Sequence, residues 1–277
     1  MSENSVLVKV DADGIATVIL NRPELHNAID ERLIALLGAR LAKLDADPAV
    51  RVVVLAGSGR SFCAGADLNW MKRMAKYSAK DNLRDARGLT AMLNVLSNLS
   101  KPTVARVHGP AYGGGAGIVA CCDIAIASRE AAFAFSEVRL GLIPAAISPY
   151  VVDAVGQRAA RRYFLTGERF DAAEAFRIGL VHDIVEEGAL NERIGHVLFD
   201  LFKGGPHALA AAKDLVRAVA RAPLDDAMLD DTARRIAAIR SSAEGREGVS
   251  AFLEKRDPKW TRHPGTKAAR GSRRGKK

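Results

Sequence analysis

The sequence predicts an α/β protein in which strand, strand and helix recur in order, followed by a helical C-terminal region. Three observations predict it. Short apolar, β-branched runs at 6–11, 15–20, 50–56, 102–107 and 124–127 alternate with stretches of helical period at 30–44 and 81–99. Two loops rich in Gly and Ala, at 57–68 and 108–115, each follow a strand and precede a helix-compatible segment. Beyond Pro144 the apolar spacing is helical almost throughout. No self-similarity is strong enough to mark a sequence repeat, so the order of elements carries the prediction.

Taken in order, Asp13-Gly14 between the first two runs is a hairpin signal, and Asn21-Arg22-Pro23 stops the second strand. Asp30 can cap a helix whose Leu33, Leu36, Leu37, Leu41 and Leu44 share one face, and Asp47-Pro48 closes it. Residues 50–56, apolar except for Arg51, suit a strand covered on both faces. A second long helix is expected over 81–99, with Leu83, Leu89, Leu93 and Leu96 inward, until Pro102 ends it. Strands at 124–127 and 132–135 follow the second Gly-rich loop. Helices at 149–165 and 171–178 are divided by Thr166-Gly167, and 181–185 is the last strand. Amphipathic segments at 190–202, 206–220, 224–239 and 244–255 complete the chain. The expected organisation is a core over 1–202, a helical region over 203–260 that associates with other copies, and a basic disordered tail over 261–277.

Composition excludes several classes. The 277 residues are 48% hydrophobic with a mean hydropathy of −0.01, as in soluble globular proteins. No window approaches ~18 uninterrupted apolar residues, and the first ten residues do not read as a leader, so a cytoplasmic chain without a membrane partner is expected. Cys63, Cys121 and Cys122 offer no pairing framework and are expected to be reduced packing residues. The six histidines show no ligand spacing, so no metal is expected. Of the net charge of +9, seven basic residues and no acid fall in 261–277, which leaves the body at +2. No aromatic residues interleave with those charges, so a solvated tail is expected, and binding to nucleic acid or an anionic surface is the lesser alternative. The dinucleotide fingerprint also fails, because Ile118 stands where its third glycine belongs.

The chemistry sits in the two Gly/Ala loops and one acid. Gly113, Gly114 and Gly115 let a ligand approach the main chain, and the first N–H groups of the following helix lack intrahelical partners. Ala64-Gly65-Ala66-Asp67 offers a similar small-residue approach, so the loops can present one amide each to a single carbonyl oxygen. A packing role for the glycines is the alternative. Glu137 lies among Phe133, Phe135, Val138, Leu140, Leu142 and Ile143, which would desolvate its carboxylate and raise its pKa to suit a general base; a surface glutamate is the alternative there.

The motifs NRPELHNA at 21–28, SFCAGADL at 61–68, HGPAYGGG at 108–115, CDIAIA at 122–127, FSEVRLGLIP at 135–144 and FLEKR at 252–256 stand in one order over residues 6–260. In that order they resemble the crotonase, or enoyl-CoA hydratase/isomerase, superfamily. The resemblance implies a spiral of β-β-α turns with a C-terminal helical oligomerisation region, assembled as a trimer or a dimer of trimers. It implies an acyl-CoA thioester substrate and no cofactor beyond the coenzyme A of that substrate. The oxyanion hole falls on the backbone N–H groups of Ala66 and Gly114, and the catalytic carboxylate on Glu137. Substrate contacts fall on Leu25, Ala28, Ala64, Gly65, Asp67, Leu68, Gly113 and Pro144.

One departure matters. Where many hydratases of the family carry a further glutamate, this chain has Gly117. The missing side chain is expected to leave room beside the reacting carbons for a branch, a carboxyl group or a water. With A-C-C-D at 120–123 and the unusual stretch at 141–156, the sequence is most similar to the branch containing methylglutaconyl-CoA and carboxygeranoyl-CoA hydratases. Hydration of a branched or carboxylated 2-enoyl-CoA is therefore expected. Isomerisation of a 3-enoyl-CoA by Glu137 alone and a non-catalytic binding role are the alternatives.

Overall fold

The hairpin at Asp13-Gly14 forms as the sequence predicts. Strands β1 (Val6–Val10) and β2 (Ile15–Leu20) pair antiparallel, Val6 opposite Leu20. Gly14 has φ +89°, and a Cβ there would lie 2.4 Å from the Ala49 carbonyl oxygen, so the turn requires glycine. The computed structural model describes residues 3–220 and 222–261.

From β2 onward the chain winds. Helix α1 (Glu31–Ala46) is capped by Asp30, whose carboxylate accepts the Leu33 N–H, and it buries Leu33, Ile34, Leu37, Leu41 and Leu44. Strand β3 (Val52–Gly57) lies parallel to β2. It leads through the first Gly/Ala loop to α2 (Leu68–Met74) and α3 (Ala79–Ser97). The inward face of α3 is Met92, Leu93 and Leu96; Leu83, expected inward, is exposed. Strand β4 (Thr103–Val107), the two-residue β5 (Ala111–Tyr112) and α4 (Gly114–Cys121) follow. Next come β6 (Ile124–Ser128), β7 (Ala132–Ala134) and α5 (Ser148–Thr166), the last kinked at Gly156, where φ is 73° and ψ 162°. Strand β8 (Arg169–Asp171), α6 (Ala172–Arg177) and β9 (Asp183–Val185) complete the winding.

Two sheets result. The larger has the order β1-β2-β3-β4-β6-β9 and is parallel from β2 on; the smaller is β5-β7-β8. Parallel bridges between Ile29 and Ala66 and between Cys63 and Ala111 continue the smaller layer backwards along the chain. Each turn thus places one strand in the large sheet and one short segment in the second layer before its helix: β2 and Ile29, β3 and 63–66, β4 and β5, β6 and β7. This is the expected spiral. Residues Val52 to Leu55 of β3 are buried, which explains their unbroken apolar run.

The chain divides into two compact units, Met1–Ile194 and Gly195–Lys277. The division falls inside α7 (Leu190–Lys203). In the second unit α8 (Pro206–Val219) is capped from α10 (Ala243–Leu253): Glu244 accepts the His207 and Ala208 N–H groups. Helix α9 (Asp226–Ser241) is capped by Asp225, which accepts the Met228 N–H. Leu224, Phe252 and Leu253 of this unit are exposed. The basic tail read from the sequence lies, apart from Thr261, outside the described residues. No helix among the described residues is long and apolar enough to cross a membrane.

Candidate active site

The two Gly/Ala loops meet in the second layer, and the rules of the parallel ladder decide which amides they leave free. At the bridge to Ala66, Ile29 donates its N–H to the Gly65 carbonyl at 2.7 Å and accepts the Asp67 N–H at 2.9 Å. In a parallel bridge those are the groups of the neighbours on either side, so the N–H of Ala66 itself points away from Ile29. One strand over, Cys63 donates to the Pro110 carbonyl at 3.1 Å and accepts the Tyr112 N–H at 2.9 Å. The ladder would next spend the Gly114 N–H on Gly65. Gly113, at φ 49° and ψ −117°, instead turns the chain into α4, so Gly114 becomes its first residue. Among the described residues neither the Ala66 N–H nor the Gly114 N–H has a hydrogen-bond partner. Gly65 brings the loops together: a Cβ there would lie 3.0 Å from the Tyr112 carbonyl oxygen and 4.0 Å from the Gly113 nitrogen.

Glu137 opens a short 3₁₀ turn, Glu137–Leu140, after β7. Its Oε1 lies 3.0 Å from where a Cβ of Gly113 would stand, so the carboxylate sits against the turn that frees the Gly114 amide. Its Oε2 is buried with no hydrogen-bond partner. Burial pushes this carboxyl above its ordinary value. The apolar residues expected around it divide in two. Leu140, Leu142 and Ile143 are 60%, 52% and 73% exposed, while Phe133 and Phe135 are buried in the core. The carboxylate itself lies against the Gly113 turn at the start of α4.

The space expected at Gly117 is already filled. Gly117 lies one turn of α4 beyond Gly113, donates its N–H to the Gly113 carbonyl, and is buried. A Cβ there would stand 2.1 Å from Ile147 Cγ2, and Ile147, just before α5, is itself buried. Ile147 therefore occupies the position at which a longer side chain would project. The pattern 145–147 gave no signal of this, because the contact joins two elements through packing alone.

The remaining candidate residues are placed as follows. Leu25 and Leu68 are exposed, and Ala66 is exposed between the more enclosed Gly65 and Asp67. Ala64 donates its N–H to the His26 carbonyl, and the Ala28 carbonyl accepts from Arg22. Pro144 is buried. Arg22, read as part of a strand stop and of the motif at 21–28 but given no role of its own, is buried and reaches Asp67 Oδ2 at 2.9 Å and Asp30 Oδ2 at 3.2 Å. Burial pushes the Asp67 carboxyl up, but the amides of Trp70 and Asn69 and the Arg22 guanidinium outweigh that and hold it below its ordinary value. Burial pushes the Cys63 thiol up to about 11, so it stays protonated and unreactive at neutral pH. Among the described residues no group of three or more His, Cys, Asp or Glu side chains could hold a metal ion.

Comparison with known proteins gives this arrangement a family. The sequence profile described as enoyl-CoA hydratase/isomerase matches residues 11–263. The chain belongs to the enoyl-CoA hydratase/isomerase family. A crystal structure of an enoyl-CoA hydratase from Shewanella pealeana is 42% identical with a TM-score of 0.90, covering 92% of this chain and 96% of that one. The Escherichia coli 1,2-epoxyphenylacetyl-CoA isomerase is 33% identical over 251 residues, covering 90% of this chain and 95% of its own. The Escherichia coli 2,3-dehydroadipyl-CoA hydratase is 32% identical over 256 residues, covering 92% and 98%. The crotonase resemblance read from the motifs is thus confirmed, and the chain is an enzyme of enoyl-CoA hydratase/isomerase chemistry.

Proposed function

We propose that the enzyme adds water across the 2,3 double bond of a branched or carboxylated 2-enoyl-CoA. The observation that carries this reading is the buried, unpartnered carboxylate oxygen of Glu137 beside the Gly113 turn that frees the Gly114 amide. In the reaction Glu137 takes a proton from water as its oxygen bonds to C3. The electron pair of the double bond moves onto the thioester carbonyl, and the Ala66 and Gly114 N–H groups hold the resulting enolate oxygen. The proton returned by the carboxyl completes C2. Loss of one such donor typically removes about 2.7–4 kcal/mol of transition-state stabilisation.

The substrate class is supported by the motif pattern and by a relative that hydrates 2,3-dehydroadipyl-CoA, whose acyl group is dicarboxylic. Coenzyme A enters as part of the substrate, along 25–28 and 64–68, and no separate cofactor is required. The reading includes self-association through the C-terminal unit as a trimer or dimer of trimers, supported by the exposed Leu224, Phe252 and Leu253. A second reading, isomerisation of 3-enoyl-CoA to 2-enoyl-CoA, uses the same carboxylate and amides. It is favoured by Ile147, which puts an apolar wall and no second acid at Gly117. With two free amides and a desolvated carboxylate in an enzyme family, the non-catalytic alternative is set aside. Turnover of 3-methylglutaconyl-CoA, crotonyl-CoA and a 3-enoyl-CoA by the purified enzyme tests both readings. Faster hydration of 3-methylglutaconyl-CoA than of crotonyl-CoA is the expected result, and turnover of the 3-enoyl thioester alone would replace hydration with isomerisation.

A further inference from the structure

One guanidinium group holds both sides of the bridge that orients the Ala66 amide. Arg22 donates to the Ala28 carbonyl at 2.8 Å and pairs with Asp30 Oδ2 at 3.2 Å, so it grips the residues immediately before and after Ile29. It also donates to Asp67 Oδ2 at 2.9 Å, the residue immediately after Ala66. Ile29 and Ala66 are the bridged pair. The other Asp67 oxygen caps α2, accepting the Asn69 N–H at 2.8 Å and the Trp70 N–H at 3.1 Å. Arg22 is in turn fixed by Asn27, which is fully buried with φ +56°: its Oδ1 accepts the Arg22 N–H, and its Nδ2 donates to the Ser58 and Ser61 carbonyls.

We infer that Arg22 is a positioning residue for the proposed oxyanion hole, holding the Ala66 N–H toward the thioester oxygen through Asp67 and the Ile29 bridge. The inference rests on the proposed role of Ala66 and goes beyond it. Charge explains the choice of residue type. Two buried carboxylates face one cation, and each also caps a helix, so the N-terminal ends of α1 and α2 share the neutralisation. Arginine's planar fork reaches both carboxylates and a carbonyl at once; a lysine ammonium has no such fixed spread. Buried ion pairs of this kind are weak contributors to stability compared with apolar packing of similar volume, so specifying a geometry is the use that the arrangement serves.

The test compares the wild type with Asp67→Asn and Arg22→Lys. Asp67→Asn keeps the oxygen that caps α2 and turns an amide N–H toward the guanidinium in place of the carboxylate. Butyryl-CoA, a saturated thioester that cannot be hydrated, is bound with a 13C label at its carbonyl, and the infrared carbonyl frequency is read. Steady-state kcat and KM are measured in parallel with crotonyl-CoA or 3-methylglutaconyl-CoA, whichever is turned over. The wild type is expected to lower the carbonyl frequency relative to free thioester. Both variants should lose most of that shift and at least about tenfold in kcat, with KM altered by less than about threefold. A merely structural role would lower the melting temperature and leave the frequency and kcat in place, which would overturn the inference. If Arg22→Lys does not fold, Asp67→Asn decides alone. A wild type without any shift would overturn the Ala66 and Gly114 assignment itself, a different result from an unchanged shift in the variants.

Discussion

Glu137 places a carboxylate against the Gly113 turn with one oxygen buried and unpartnered, and its pKa rises because burial penalises the charged form. In the proposed role of general base it must be ionised, so Glu137→Gln should lower kcat by at least about a hundredfold while leaving thioester binding intact, in a steady-state assay with parallel calorimetric titration. The same variant has a stability signature. Below the ordinary value of 4.5 both folded and unfolded chains hold this proton, and as pH rises through the raised folded value only the folded chain must bury the charge. Thermal melts should therefore show Glu137→Gln gaining on the wild type as pH climbs from below 4.5 past the raised value, and a gap independent of pH would contradict the desolvation. At Gly117 the prediction is steric. A methyl group there meets Ile147 Cγ2 at 2.1 Å, so Gly117→Ala should cost about 1–3 kcal/mol by overpacking. Ile147→Ala should relieve part of that cost, and a double-mutant cycle in urea that shows simple additivity would sink the contact. The sequence made the identity of Glu137 legible through its motif. It could not show Ile147 inside the Gly117 site, because that contact depends on how α5 starts over α4.

Helix α2 has seven residues, too few to hold itself in water, and three fastenings replace the missing length. Asp67 caps it, Arg73 donates to both oxygens of Glu31 on α1 at 2.8 Å, and the Trp70 indole N–H reaches Asp85 Oδ1 on α3 at 3.2 Å. Burial pushes the Asp85 carboxyl up, with the indole bond opposing it. Trp70→Phe should thus cost roughly 0.5–1.5 kcal/mol in urea unfolding for the lost hydrogen bond, plus a packing loss from the smaller ring. Hydrogen exchange should locate the loosening at α2 and leave β3 protected; uniform loosening would mean that the helix is not separately fastened. The long elements were legible for a physical reason. The leucines of α1 and the unbroken apolar run of β3 are one-dimensional patterns of burial. Strands β5 and β8, with two and three residues, are too short to show any period, and the single-residue bridges at Ala66 and Cys63 show none. Those bridges nonetheless set which amides of the loops stay unpaired, so composition identified the loops while long-range pairing set the direction of their N–H groups.

At the scale of the whole molecule, residues 261–277 carry seven of the basic charges and leave the rest of the chain at +2. Removing 262–277 should leave turnover and the mass measured by light scattering unchanged if association belongs to the helices of the second unit. Monomers after that truncation would assign association to the tail instead. The spiral has a further consequence in time. In the large sheet β1 and β2 are the one adjacent pair joined by a hairpin; the parallel pairs join residues as distant as Val53 and Thr103 or Ile126 and Asp183. Closing such pairs costs loop entropy before any contact repays it, so they form late. Ala66 and Gly114 are oriented by pairings between successive turns, Ile29 with Ala66 and Cys63 with Ala111. During refolding from urea, far-UV ellipticity should therefore recover ahead of thioester turnover, and a stopped-flow experiment in which the two return together would refute this order. With Ala66 and Gly114 in their proposed role, the chain cannot polarise a thioester until its first three windings have closed on one another, which makes the onset of catalysis a clock for the completion of folding.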